Sequence, residues 1–527
     1  MKRSLIIVLT LVVIAALVLV GATFAMGMLT EKAIMAYSGE LEDSATLSAV
    51  DLSVDQYERG FGKSTFDSTL VVEGIDEAIP LEHEVYHGPF ALTPDGPKAG
   101  YSYVISTVDI EALPDEIREN IQSVYGDTEP FTIKTTIELD GDRQSHVSIA
   151  PIDHEDDEMT LRFDGGEIEF LGDSGASNVN GNIEFSPLSL KMKAEEGGDF
   201  RMRFDGASGS LSAEENGTIV MDGALSKINI KGGAKGPVGF TIESVDVKAN
   251  YLPVEGIEGI VEGTASVTIP SVEIDAAEKG KFVASGLKIA NETSSESGDL
   301  LKYRVTYGAD SFKADMVEQT EDLAWLKMLE SGAEVSLFGT VPHAIAHELA
   351  NFQQERNGIA TSPEAIAENS LALAEMMEAV LRKLNKGSGI GLDARVGPKD
   401  GGVNLNLNID YEEERPITSR KNYQELLNAL NLNLSAKVPK TMLDATPALE
   451  EQLAGLKAMG TVKETLSGYE ASLTAERGKV NVNGEPNPMF EQMAPMLMMA
   501  IEWEAIFEGM RMAAEAQATA AAAAEEE

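Results

Sequence analysis

Cysteine is absent from this chain of 527 residues. Without thiols, the chain has no disulfide framework, no thiolate metal site and no cysteine nucleophile. If the protein works outside the cytoplasm, its stability must therefore come from packing alone. A hydrophobic content of 43% is enough to build such cores.

Basic residues are scarce. The chain carries 41 lysines and arginines against 87 aspartates and glutamates, a net charge of −46. Such a surface repels the phosphates of nucleic acids, so the sequence predicts no nucleic-acid partner. The acidic residues are spread along the chain, which indicates a hydrated acidic surface. Cation binding by part of that surface is the alternative interpretation.

Long apolar runs are also rare, and only one could cross a membrane. The stretch from Ser4 to Met28 is uncharged and mostly apolar, and as a helix it would span roughly 37 Å, against a hydrocarbon core of about 30 Å. Lys2 and Arg3 precede it and place the N-terminus in the cytoplasm. We therefore expect a single-pass inner-membrane anchor over residues 1–32, with the body in the periplasm. The alternative is a signal peptide cleaved after Val20-Gly21-Ala22.

Residues 33–315 show the pattern of a β-rich region. From about Thr46 to Tyr307, apolar and polar residues alternate in short runs, and clusters of Gly, Asn and Asp separate the runs. Examples of these runs are Phe131–Leu139, His146–Ile152, Met159–Phe163 and Val238–Val247. Alternation broken by such turns predicts antiparallel strands in hairpins. A helix is predicted at about Pro114–Val124. The expected fold class is α+β, with a long, curved antiparallel sheet or an open sandwich.

Residues 316–486 show mixed patterns and are predicted to continue the same body. Helical spacing appears at Glu318–Ser331, Pro342–Arg356 and Pro363–Asn385, and strands return at Gly391–Val396 and Val403–Tyr411. Further on, the patterns predict a helix at Lys421–Leu430, a strand at Leu432–Val438, a helix at Thr441–Met459, and strands around Leu466–Thr474 and Lys479–Val482.

The C-terminal part begins with a Met-rich helix over residues 487–512 and ends in an Ala/Glu tail over residues 513–527. Met493, Leu497, Ile501 and Trp503 are its candidate interaction residues. Met-rich faces adapt to irregular partners. The helix is expected to dock on the sheet, or else to contact a partner, a lipid or a second copy of the chain.

Two short motifs point to a family. They lie at Tyr57–Ser64 and His83–Phe90, and the residues that carry them are Arg59, Gly60, Ser64, His83, His87, Gly88 and Pro89. In these motifs the chain resembles the YdgA-like family of bacterial envelope proteins, a group of uncharacterised function, over roughly residues 1–486. The resemblance implies that these residues build structural turns, and it supplies no catalytic residues.

No enzyme motif is complete. His343 and His347 share a helix face as zinc ligands can, but no third ligand is evident nearby. Gly172–Gly175 lacks the partners of a serine nucleophile, and Gly62-Lys63-Ser64 lacks the first glycine of a phosphate loop. We therefore expect no enzyme activity, no metal and no cofactor.

Two functions remain open. The first is a non-enzymatic, membrane-anchored envelope protein that binds a partner or has a structural role. The second is a protein that handles lipids or other hydrophobic ligands in a sheet-lined groove. Whether the inward side chains pack against helices or line a void distinguishes the two. A metal-dependent hydrolase centred on His343 and His347 is a third hypothesis, and a homodimer formed through the C-terminal helix is a fourth.

Overall fold

The computed structural model describes residues 50–58, 63–72, 78–87, 90–100, 102–138, 140–173, 178–193, 199–232, 238–254, 260–276, 280–296, 299–315, 329–346, 383–398, 401–413, 428–440, 443, 447–458 and 460–487. The predicted anchor, the Ala/Glu tail and all but the first residue of the Met-rich segment lie outside these residues. Among the helices in the described ranges, none has the length and apolar character needed to cross a membrane.

The chain divides into two compact units. The first unit holds Met1–Tyr251 with Val267–Val283, and the second holds Leu252–Ser266 with Ala284–Glu527. The strands that begin in the first part of the chain are β1 (Val50–Glu58), β2 (Lys63–Val72), β3 (Ile79–His87), β4 (Phe90–Thr93), β5 (Gly96–Ala99), β6 (Ser102–Val108), β7 (Phe131–Ile137), β8 (Arg143–Ile149), β9 (Ile152–Glu155), β10 (Met159–Phe163), β11 (Gly166–Gly172), β12 (Val179–Phe185), β13 (Leu188–Lys193), β14 (Asp199–Phe204), β15 (Ala207–Ala213), β16 (Ile219–Leu225), β17 (Ile228–Gly232), β18 (Val238–Ile242) and β19 (Val245–Pro253).

The later strands are β20 (Val261–Asp275), β21 (Lys281–Glu296), β22 (Leu300–Ala309), β23 (Ser311–Ala314), β24 (Ala333–Pro342), β25 (Gly389–Val396), β26 (Val403–Tyr411), β27 (Leu430–Pro439), β28 (Lys463–Thr465), β29 (Gly468–Glu476), β30 (Lys479–Val482) and β31 (Glu485–Pro486). Two α-helices are described, α1 (Asp115–Tyr125) and α2 (Pro447–Ala458), with a short 3-10 helix at Ile110–Ala112.

In the first unit, the antiparallel strands form two rows. The first row runs β1–β2–β3–β6–β7–β8–β11–β12–β15–β16–β19, and the second row runs β9–β10–β13–β14–β17–β18–β20. From β7 to β18 the chain places two successive strands in one row and the next two in the other. Each row has one apolar face, because apolar residues alternate along its strands.

The apolar faces of the two rows share one hydrophobic core. Val147, Ile168 and Phe170 of the first row belong to the same buried cluster as Leu161 and Leu190 of the second row. Ile121 and Tyr125 of α1 join this cluster, so the helix packs on the core at the β9 end. We call the two faces that meet in this core the inner faces of the rows.

The second unit contains the antiparallel order β21–β22–β24–β25–β26–β27–β29–β30–β31, with β28 beside β29. Its two faces differ sharply. The register places Val305, Leu337, Leu392, Leu407 and Leu434 in line across five strands, on the apolar face. The neighbouring positions carry Asn, Asp, Glu, Arg, Lys and Ser, and we call that side the polar face of the second unit.

The large antiparallel sheet body and the helix predicted at Pro114–Val124 are confirmed. The strand predicted over Val238–Val247 is in fact two strands, because Glu243-Ser244 ends β18 before β19 begins. The run His146–Ile152 is likewise divided where Pro151, which has no backbone N–H, precedes β9. The strands β15 and β24 were not predicted.

The helices predicted at Pro363–Asn385 and Lys421–Leu430 fall almost wholly outside the described residues, as does most of Glu318–Ser331 and of Pro342–Arg356. The helix predicted at Thr441–Met459 is described over Pro447–Ala458. The mixed character of residues 316–486 therefore stays a prediction.

Candidate functional site

The inner faces of the first unit change from closed to open along the chain. Near β8–β13, Val147 and Ile168 are 0% exposed and Leu161 is 1% exposed. At equivalent inner-face positions further along, Met221 and Ile219 of β16 are 38% and 42% exposed, and Val238 of β18 is 48% exposed. The inward apolar side chains are thus packed near β8–β13 and partly exposed to solvent in β16 and β18.

Register shows that the open positions continue the packed ones. Ile168 pairs with Ile183, Ile183 with Gly209, and Gly209 with Gly223, so these four residues lie in line across β11, β12, β15 and β16. The line passes from a fully buried isoleucine to a pair of glycines. Because glycine has no side chain, the inner face is recessed at Gly209 and Gly223.

The recess is open above Gly223. A Cβ built at Gly223 would meet only the backbone oxygen of Ser208, at 3.8 Å, within 4 Å. The same construction at Gly181, on the inner face of β12, would lie 2.7 Å from the ring of Phe170. On the same inner face, the space beside Gly181 is therefore filled by Phe170, whereas the space beside Gly223 is open.

The open inner faces carry no ionisable group along the described strands β15 to β18. Their inward positions are Ala207, Gly209, Leu211, Ala213, Ile219, Met221, Gly223, Leu225, Ile228, Ile230, Gly232, Val238, Phe240 and Ile242. Such a surface can exclude water from an apolar ligand, but it offers nothing to transfer a proton or to hold a metal. We call it the open groove.

The predicted family residues fall elsewhere. Ser64 is buried in β2, and His83 lies in the middle of β3. The His83 ring stacks on Phe66 with centroids 4.0 Å apart. Its Nε2 lies 2.7 Å from Ser68 Oγ, and its Nδ1 lies 2.7 Å from Ser106 Oγ. A neutral ring donates from one nitrogen and accepts at the other, so both serine hydroxyls are satisfied.

Burial lowers the pKa of the His83 imidazole to about 3. The ring is therefore neutral at physiological pH and holds three adjacent strands, β2, β3 and β6, together. The residue is only 2% exposed, and packing and hydrogen bonding account for its position. His87 is the last residue of β3.

The other predicted residues are not brought together. Arg59, Gly60, Gly88 and Pro89 lie outside the described residues, and so do Met493, Leu497, Ile501 and Trp503. His343 follows β24, with its Nε2 3.5 Å from Ser295 Oγ, while His347 is outside the described residues. Within the described ranges, no group of three or more His, Asp or Glu side chains is placed to hold a metal ion.

Sequence reasoning missed the residues that make the groove recessed. The strand β15 has the sequence ASGSLSA, in which small residues hide the alternation of apolar and polar side chains. The sequence feature that could have indicated the recess is the position of Gly209 and Gly223. Each lies at an inward position of its strand, and the two strands are consecutive in the hairpin array.

Comparison with known proteins places this antiparallel β-protein in a family. The family model described as a bacterial protein of unknown function (DUF945) matches residues 1–489. The chain therefore belongs to the DUF945 family. It is also similar to the protein YdgA of Escherichia coli (strain K12), with 19% identity over 514 residues that cover 89% of this chain and 91% of that protein. This agrees with the YdgA-like resemblance of the two N-terminal motifs. No solved structure matches the chain.

Proposed function

We propose that this protein is a non-enzymatic, membrane-anchored envelope protein whose first unit binds the acyl chains of lipids in the open groove. The observation that carries the proposal is the exposure of apolar side chains on the inner faces of β16 and β18. Exposed apolar surface that lies in line with a packed core is costly in water, and a hydrophobic ligand removes that cost.

The chemistry of the groove favours an acyl chain over a polar ligand. The inward residues of β15 to β18 are aliphatic, aromatic, methionine or glycine, and none offers a hydrogen bond or a charge. The row of inward positions runs across several strands that lie about 4.8 Å apart, which gives an extended apolar surface rather than a compact pocket. An unbranched hydrocarbon chain fits such a surface.

The location is part of the proposal. The uncharged stretch from Ser4 to Met28 would cross the inner membrane, and Lys2 and Arg3 would keep the N-terminus in the cytoplasm. The body would then lie in the periplasm next to a source of lipid. A reporter fused after Asn487 that is active only outside the cytoplasm tests this orientation.

The open groove has a matched pair of test positions on one strand. Met221 and Val220 are neighbours in β16 and are 38% and 39% exposed. Met221 points to the open groove, while Val220 pairs with Ser212 on the outer side of the same row. The two residues therefore differ in the face they occupy and hardly at all in exposure.

The experiment is photo-crosslinking of the full-length chain in cells. A photoreactive phenylalanine analogue replaces Met221 in one variant and Val220 in the other, and the purified adducts are analysed by mass spectrometry. We expect a phospholipid adduct at position 221 and none at position 220. Equal lipid labelling at both positions would show mere membrane proximity. Labelling of position 221 by a polypeptide alone would support the partner-binding function instead.

A further inference from the structure

The polar face of the second unit contains an unusual number of asparagines on two adjacent strands. Asn404, Asn406 and Asn408 occupy alternate positions of β26, and Asn431 and Asn433 occupy alternate positions of β27. The register pairs Asn408 directly with Asn433. Asparagine is disfavoured in strands, so five of them on one face of a strand pair call for a reason other than sheet stability.

These asparagines help to line two depressions on the polar face. The larger has a volume of about 710 Å³ and is lined by Asn404 and Asn406 with Asp393 and Arg395. The smaller has a volume of about 400 Å³ and includes Asn408 in its lining. Arg304 in the smaller depression reaches Asp393 in the larger one, with Nη1 3.5 Å from Oδ2, so the two adjoin.

The side chains of the lining are held in place by their neighbours. Asn406 donates from Nδ2 to Asp393 Oδ1, and Asn404 donates from Nδ2 to the backbone oxygen of Gly402 at 2.9 Å. Each carboxamide has two N–H donors and an acceptor oxygen. One donor is used in fixing the group, which leaves a second N–H and the acceptor oxygen available to a ligand.

Arg395 adds a donor that its neighbours do not satisfy. Its Nη2 lies 3.7 Å from Glu334 Oε2, and its Nε is buried with no hydrogen-bond partner in the described part of the chain. A buried donor without an acceptor costs free energy. Because this Nε is buried, a ligand can contact Arg395 only through the rest of its side chain, which is 27% exposed.

The charge of the lining is balanced, unlike that of the chain. Three acidic and three basic side chains line the larger depression, and two of each line the smaller. The chain as a whole carries 87 acidic and 41 basic residues. This local balance favours a neutral ligand with many hydroxyl groups, because a polyanion or polycation would meet both signs of charge at once.

We propose that the polar face of the second unit binds a neutral oligosaccharide through the carboxamides of Asn404, Asn406 and Asn408. Each sugar hydroxyl can both donate and accept a hydrogen bond, and each carboxamide offers an N–H donor and an acceptor oxygen. Neighbouring hydroxyls of a sugar can therefore pair with neighbouring carboxamides of the strand. The proposal concerns the second unit alone and does not depend on the open groove of the first.

The experiment is calorimetric titration of the full-length protein with three tetrasaccharides: maltotetraose, the tetramer of N-acetylglucosamine, and tetragalacturonate. The test variant is N404V/N406V, which keeps the strand well formed because valine favours strands. The matched control is N180V/N182V, which changes two alternate asparagines of β12 on the outer side of the first row.

We expect at least one of the two neutral tetrasaccharides to bind. The N404V/N406V variant should bind it about tenfold more weakly or worse, since two hydrogen-bonding groups are lost. The control should bind as the unmodified protein does. The proposal is overturned if neither neutral tetrasaccharide binds at millimolar concentration, if N404V/N406V binds unchanged, or if tetragalacturonate binds more tightly than both. Lipid crosslinking at position 221 is unaffected by any of these results.

Discussion

At the scale of single residues, the buried His83 is the most consequential side chain outside the groove. It stacks on Phe66 and pairs with Ser68 and Ser106, so it links β2, β3 and β6. The substitution His83→Ala would leave a cavity and two buried hydroxyls without partners. We expect a loss of about 3 kcal/mol or more in the free energy of unfolding, measured by denaturant titration.

The control for that loss is His146→Ala. His146 lies on the outer side of β8, where its side chain is 32% exposed and near Glu169. Its removal should change the free energy of unfolding by no more than about 0.5 kcal/mol. A loss of no more than about 0.5 kcal/mol in both variants would mean that the hydrogen bonds of His83 contribute little to the free energy of unfolding.

The same histidine makes a pH-dependent contribution to stability. Its pKa is about 3 in the folded chain against an ordinary value of 6.5, so between these values the unfolded chain binds a proton that the folded chain does not. The stability contribution of His83 is therefore present above pH 6.5 and is lost as the pH falls, at about 1.4 kcal/mol per pH unit.

The measurement is the free energy of unfolding from pH 6.5 to pH 4 for the unmodified protein and for His83→Asn. Asparagine keeps a neutral hydrogen-bonding group in the site and does not titrate. The variant should lose less stability over this range than the unmodified protein. If the free energies of unfolding of the two proteins fall equally with pH, the folded chain takes up a proton at His83 as readily as the unfolded chain does.

At the scale of elements, two glycines test the change from packed to open inner face. Gly181 in β12 lies against the ring of Phe170, whereas Gly223 in β16 has open space above it. Gly181→Val should therefore cost about 1–3 kcal/mol of unfolding free energy through overpacking. Gly223→Val should be tolerated, because valine favours strands and its Cβ would meet only the backbone oxygen of Ser208, at an ordinary contact distance of 3.8 Å. A similar cost at both positions would show that the rows remain closed around β16.

Element boundaries also show what a sequence can predict here. Strands with strong alternation, such as β7 and β10, were predicted from the sequence. Their apolar residues are spaced by even numbers of positions, with Phe131, Ile133 and Ile137 in β7 and Met159 and Leu161 in β10. β15 was missed because small residues hide the period. β24 was missed because Gly339 and Pro342 look like breakers, although the register places Gly339 opposite Tyr303, whose ring occupies the missing side chain's space.

The candidate sites were harder to predict than the strands. Which alternating face stays open depends on which strands share a row. Pairings such as that of β12 with β15 decide this, and they join strands that are not consecutive in the sequence, so no local pattern predicts them. His83 was placed by motif alone. Its stacking and its two serine partners come from β2 and β6, so only the pairing of the strands reveals them.

At the scale of the whole molecule, a net charge of −46 predicts strong dependence on ionic strength. Self-repulsion destabilises the compact state at low salt, and screening relieves it. We expect the thermal midpoint to rise by about 3–5 °C when sodium chloride is raised from roughly 10 mM to roughly 500 mM.

Choline chloride is the control for that experiment. Its bulky cation screens charge as sodium does but cannot occupy an oxygen-lined cation site. Equal rises in the two salts would identify general screening as the cause. A rise only with sodium would support specific cation binding by part of the acidic surface.

The alternation of the chain between two rows has a consequence for how such a protein can change over time. Each set of four consecutive strands, such as β11 to β14, adds two strands to each row and returns the chain to where it can start the next set. Duplication or loss of one set would lengthen or shorten both rows together without altering a single connection elsewhere. The length of the open groove is therefore a property that evolution can adjust in whole steps.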